Sequence, residues 1–231
     1  MKTVCVLQHV EAEYLGLIED HLEARSIRFR YCRPFVPGGR VPADAEGYDG
    51  LIVLGAGPFG VVSGSLLPSL AAELRLATDF LKRGLPVVGI GVGSAVLATA
   101  AGGGAAEAPL RLAVGDVQRI SPGALGGHLP ESLPMALYLR DRPVLPAAAT
   151  VLAKGASGEA MIFQTGSNAF GFLGHPGIKS AMIEDVAMEF DETPEDLADG
   201  LAALRKRQGE IAEALTPIMV GLIAATGWMM P

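Results

Sequence analysis

Two apolar runs, LIVLGAG at 51–57 and PVVGIGVG at 86–93, each halt on glycines and are joined by one amphipathic stretch, LPSLAAELRLATDFLKRG. A short run of branched apolar residues without polar alternation reads as a strand buried on both faces. The stretch between them ends in a basic turn and Gly84, as a helix with a glycine C-cap does. Strand, helix and strand in that order imply parallel pairing, and a parallel sheet needs helices on both faces. The expected fold is α/β, an open and mostly parallel sheet covered on both sides.

The flanking sequence extends this pattern. KTVCVLQH is a further strand, YLGLIEDHLEAR sets Tyr14, Leu15, Ile18 and Leu22 at helical spacing, and IRFRYCRPF alternates Ile27, Phe29 and Tyr31 with arginines. From about Leu110 the runs shorten to LRLAVGDVQRI, MALYLRD, ATVLAKG, EAMIFQTG and AFGFLGHP, which predict extra antiparallel strands added to the main sheet. Two or three helices close the chain, from SAMIEDVAMEF through PEDLADGLAALRKRQGEIAEAL. No repeat or linker interrupts the 231 residues, so one domain is expected over 1–190, with a C-terminal helical extension at 191–231 packed on that domain or on a partner.

Apolar residues make up 50% of the chain and charged residues 19%, and the mean hydropathy is +0.37. Much surface must be buried internally or against another copy, so a homo-oligomer is expected. The net charge of -7 carries no basic footprint, which argues against nucleic acid and anionic lipid as partners. Cys5 and Cys32 both fall in strand-like runs without metal-ligand spacing, and are expected to be buried thiols of a reducing cytoplasm; no metal or cofactor is implied. The opening strand has no apolar signal core, which argues against secretion. The uncharged tail ALTPIMVGLIAATGWMMP is shorter than the roughly 20 apolar residues of a spanning helix, so a buried or dimer-forming helix is expected instead of a membrane span.

Ligands in such sheets bind outside the carboxyl ends of the strands. Three strand ends stand out: LGAGPFG at 54–60, GIGVGSA at 89–95 and FLGHPG at 172–177. Taken in order, these blocks and the intervening YLRDRPVLPAAATVLAKG resemble the class I glutamine amidotransferase family, over about residues 1–190. The resemblance implies a flavodoxin-like fold. It implies an oxyanion-hole amide from the first block, a nucleophile at Gly-x-Cys-x-Gly-His-Gln from the second, and a base and an orienting acid from a late His-Pro-Glu. The members of this family pass ammonia to a synthetase partner, so a synthetase or other protein partner is implied.

The departures bear on function. The nucleophile position is Gly91, which has no thiol. His175 stands where the base is expected, followed by Pro176, but the orienting acid position is Gly177. Ser94 and Ala95 stand in place of His-Gln. The loop amides around Gly55, Ala56, Gly57 and Val92 remain as candidate donors to a small carboxylate or γ-glutamyl ligand. Gly91 is expected to keep the strained turn of a nucleophile elbow at no steric cost.

No replacement nucleophile is evident. Ser94 reads as a hydroxyl bonding to backbone at a helix start, and Ser65 or its neighbours as the start of the next helix after Ser63. His128 reads as a solvated loop residue, and His9 sits at the end of the first strand. The acidic run EFDETPEDLADG reads as a solvated helix start. Two functions follow: a degenerate, amidotransferase-like binding or regulatory subunit, a pseudoenzyme; or an active amidase, γ-glutamyl hydrolase or amidotransferase using His175 with an unrecognised nucleophile or water.

Overall fold

The computed structural model describes residues 1–229. Met230 and Pro231, the end of the uncharged tail, lie outside the described residues. The first half of the chain runs β1 (Thr3–Leu7), α1 (Ile18–Glu23), β2 (Arg28–Cys32), β3 (Gly50–Val53), α2 (Leu70–Lys82), β4 (Val87–Ile90) and α3 (Val92–Ala100). Then come β5 (Gly104–Ala106), β6 (Arg111–Arg119), β7 (Ser132–Leu139), β8 (Arg142–Val144), β9 (Thr150–Gly155), β10 (Ala160–Thr165), β11 (Ala169–Phe172), α4 (Ser180–Glu189) and α5 (Leu197–Thr226).

Nine strands form one sheet in the order β2-β1-β3-β4-β11-β10-β9-β6-β7, and β5 pairs with β8 in a separate ribbon. The expected α/β architecture is present, with parallel pairing from β2 through β11 and antiparallel pairing beyond. Every residue of β3, β4 and β11 is buried, which is why their sequences show no polar alternation. Edge strand β2 alternates exposed arginines with half-buried Phe29 and Tyr31.

β11 differs from a simple antiparallel meander. It reverses from β10 through a turn in which Gly166 takes φ +61°, and so lies parallel to β4 as well as antiparallel to β10. The loop after it, carrying His175, therefore emerges beside the end of β4 and Gly91. The Gly91 N–H donates to the Phe172 carbonyl at 2.9 Å across that junction.

The tail belongs to a single 30-residue helix, α5, which runs through Pro217 and stops at Gly227 in the left-handed region. By length and composition α5 could cross a membrane. Its apolar stripe of Ile211, Leu215, Ile218, Met219, Leu222 and Ile223 is buried within the chain, with α5 packed on β6, β7 and the 3-10 turn at Ala124–Gly127. Beyond the helix, the Trp228 indole packs on Gly50, where a Cβ would have no room.

Candidate functional site: a crevice occupied by its own chain

Gly91 joins β4 to α3 with φ 58° and ψ -127°, the sharp turn expected of an elbow. Only glycine adopts this conformation without strain. A Cβ at this position would lie 3.3 Å from the Gly55 Cα, so the two glycine strand ends touch here. Gly89 and Gly93 are equally constrained, since a Cβ on Gly93 would strike the Val53 carbonyl and one on Gly89 the Gly93 backbone. The elbow therefore persists through backbone packing. Ser94 is fully buried and donates to the Gly91 carbonyl at 2.7 Å, so its hydroxyl serves the turn.

The structure brings Gly55, Ala56, Gly57, Gly91, Val92, Ser94, His175 and Gly177 into buried positions around the ends of β3, β4 and β11. The segment after β1, residues 10–17, lies against this group. Glu13, 5% exposed, places its carboxylate on the Gly57 N–H and against the Gly55 Cα. Glu13, and not Phe59 or Phe172, occupies the space against Gly55. Phe190 covers Gly57 from the other side, stacked edge-on with Phe59.

His175 is locked. Its Nε2–H donates to the Tyr14 carbonyl at 2.9 Å, while Nδ1 accepts the Gly177 N–H at 3.1 Å. Burial lowers its pKa to about 4 against the opposing backbone hydrogen bonds, so the ring is neutral with both nitrogens engaged. Gly177 is confined by the same segment: a Cβ there would lie 2.9 Å from Ile18 Cγ1 and 3.0 Å from the Ile18 nitrogen. The Gly177 carbonyl in turn accepts the Leu17 N–H at 2.9 Å.

Beneath Glu13 lies a second buried pair. His9 directs Nδ1 at the Gly55 carbonyl (2.8 Å) and Nε2 at the Glu73 carboxylate (2.9 Å). Two acceptors require two donors, so this ring is an imidazolium. Burial opposes that charge, but Glu73, the Gly55 carbonyl and Glu13 outweigh it and raise the His9 pKa; burial would raise Glu73, yet His9 and Ser69 hold it down. Among the described residues, no group of three or more His, Cys, Asp or Glu side chains is placed to hold a metal.

Other sequence candidates fall outside the crevice or serve structure. Helix α2 starts from Ser69 and not near Ser65. The Ser63 hydroxyl and the amides of Val61, Val62 and Ser63 all donate to Asp141, which pins that loop. His128 is exposed. Cys32 is half-exposed where a buried thiol was expected, because β2 is the sheet edge; Cys5, one strand inward, is fully buried. Glu13, Tyr14 and Glu73 carry no local signal in the sequence, since each is defined by a partner at least 40 positions away.

No family model and no curated protein matches the chain by sequence. Solved structures do match its fold. A glutamine amidotransferase from Thermotoga maritima superposes with a TM-score of 0.79 at 23% identity, over 97% of this chain and 98% of that one. A glutamine amido transferase from Methylobacillus flagellatus superposes with a TM-score of 0.78 at 18% identity, over 97% of this chain and 95% of that one. At such identities the likeness establishes a shared fold, including the C-terminal helices that lie beyond the sequence motifs.

Proposed function

We propose that this chain is a non-catalytic, amidotransferase-like binding protein, a pseudo-glutaminase whose crevice is held shut by its own 10–17 segment. The observation that carries the proposal is the Glu13 carboxylate on the Gly57 amide, beside an elbow whose turn residue, Gly91, has no side chain. Acyl transfer needs a nucleophile and a base free to take its proton. Gly91 offers no nucleophile, and His175 has no ring nitrogen to spare. That engagement is also why catalysis through His175 with water or another nucleophile is the weaker reading.

Glycine-rich strand ends attract carboxylates because their backbone N–H groups converge there. Glu13 supplies such a carboxylate from within. A small carboxylate or γ-glutamyl group would have to displace Glu13, and the 10–17 segment would move with it. A synthetase or other protein partner contacting that segment would then sense ligand binding, which gives a regulatory subunit a physical basis. The test has two parts. Ammonia release from glutamine should stay at the buffer blank, and calorimetry should detect tighter glutamate binding by Glu13→Ala than by the parent chain. Ammonia release above blank that disappears in His175→Ala would overturn the proposal.

A further inference from the structure

The sheet edge holds the free Cys32 thiol at a basic cavity, and none of the cavity's lining residues belongs to the crevice just described. Cys32 ends β2 and lines an open cavity of about 590 Å³ together with Arg30, Arg33, Arg40, Tyr31 and Tyr48. Among the described residues no carboxylate lines it and no ion pair involves any of the three arginines. Arg33 is positioned by donating to Gln8 at 2.7 Å and by stacking 4.9 Å above the Tyr31 ring. Arg30, Arg33 and Arg40 give the cavity a basic lining, with Arg33 shared with the adjoining cavity of Gln8, Glu11 and Glu19, and such a lining attracts an anion.

The thiol at its wall lies against two further polar groups. The Cys5 thiol lies 3.7 Å from the Cys32 sulfur as a donor, and the Tyr48 hydroxyl lies at the same distance. Cys5 from β1, Tyr48 from the loop before β3 and Arg30 on β2 itself are the titratable groups acting on it. Their combined influence, the Cys5 hydrogen bond foremost, lowers the Cys32 pKa to about 6 against partial burial, while Cys5 itself is pushed up and stays protonated.

We propose that Cys32 is a thiolation site for small anionic disulfides, which the arginine cavity captures and the Cys32 thiolate then attacks. In that step the Cys32 sulfur bonds to one sulfur of the disulfide R–S–S–R. The R–S–S–R bond breaks, and R–S⁻ departs with the electron pair, so the disulfide is the only oxidant needed. Excess free thiol reverses the reaction.

The test uses the full chain, with oxidised glutathione as the anionic probe and cystamine as the cationic one. Loss of the free Cys32 thiol is followed by mass spectrometry, and each rate is divided by that of the same disulfide with free cysteine. The anionic probe should be favoured about tenfold at low ionic strength, and the preference should shrink in about 1 M salt. Arg40→Gln, at an exposed side chain without a partner, should keep the fold and reduce the preference; Cys32→Ser should abolish adduct formation at this site. Closure of a Cys5–Cys32 bridge after the adduct also counts as reaction at Cys32. No loss of the Cys32 thiol, or equal normalised rates for the two probes, would overturn the proposal.

Discussion

The carboxylate of Glu13 accepts the backbone N–H of Gly57 across 44 positions of sequence, in a space where Gly55 leaves no room for a Cβ. Burial is the larger influence on this carboxyl and raises its pKa to about 7, against the Gly57 amide and the His9 charge. A folded value above the ordinary 4.5 means that Glu13 favours the folded state fully below about pH 4.5, and that this contribution is lost as pH rises through 7. The parent chain should therefore lose stability relative to Glu13→Gln between pH 5 and pH 8, by up to about 3 kcal/mol. Urea midpoints at the two pH values measure this, and parallel pH slopes for the two proteins would refute it.

Restoring a thiol at the elbow should not restore chemistry. Gly91→Cys places a side chain at φ 58°, ψ -127°, a backbone strain of about 1–3 kcal/mol, and leaves His175 bound to Tyr14 and Gly177. The expected result is a lower melting temperature with ammonia release still at the blank. Turnover of glutamine by this single variant would show that the His175 lock opens readily.

Two glycine substitutions should act with opposite signs. Gly177→Ala drives a Cβ into Ile18 and should cost about 1–3 kcal/mol. Gly209→Ala, in the exposed middle of α5 with open space around it, should stabilise by about 0.5–1 kcal/mol through helix propensity. Chemical denaturation of both variants tests whether the crevice segment is packed as tightly as the structure indicates.

The buried His9–Glu73 pair should discriminate between charge and volume. Glu73→Leu strands the imidazolium and should cost about 3–5 kcal/mol. Glu73→Gln should cost less, because a neutral His9 can still donate to the Gly55 carbonyl and accept from the glutamine amide. Equal losses for the two variants would refute this ordering.

Local periodicity was enough to place β1, α1, β2, β3, α2 and β4, because strand and helix faces repeat over a few residues and a buried parallel strand cannot alternate. The glycine turn was legible from the glycines that halt an apolar run before a helical stretch, and at φ 58° Gly91 takes that turn without strain. Other features depended on partners that no window of sequence contains. The apolar tail reads as a buried or dimer-forming helix, and which of its side chains are buried within the chain depends on the packing of α5 on β6 and β7. The motif singles out His175 but not its lock, since the carbonyl it binds is supplied by Tyr14 from 161 positions away. Cys32 looked like any strand thiol until strand order put β2 at the edge and gathered Arg33 and Arg40 from the following loop around it. Chain chemistry determined which elements form; only tertiary packing decided which polar groups meet, because burial and long-range contact set whether a carboxylate, an imidazole or a thiol is free to react.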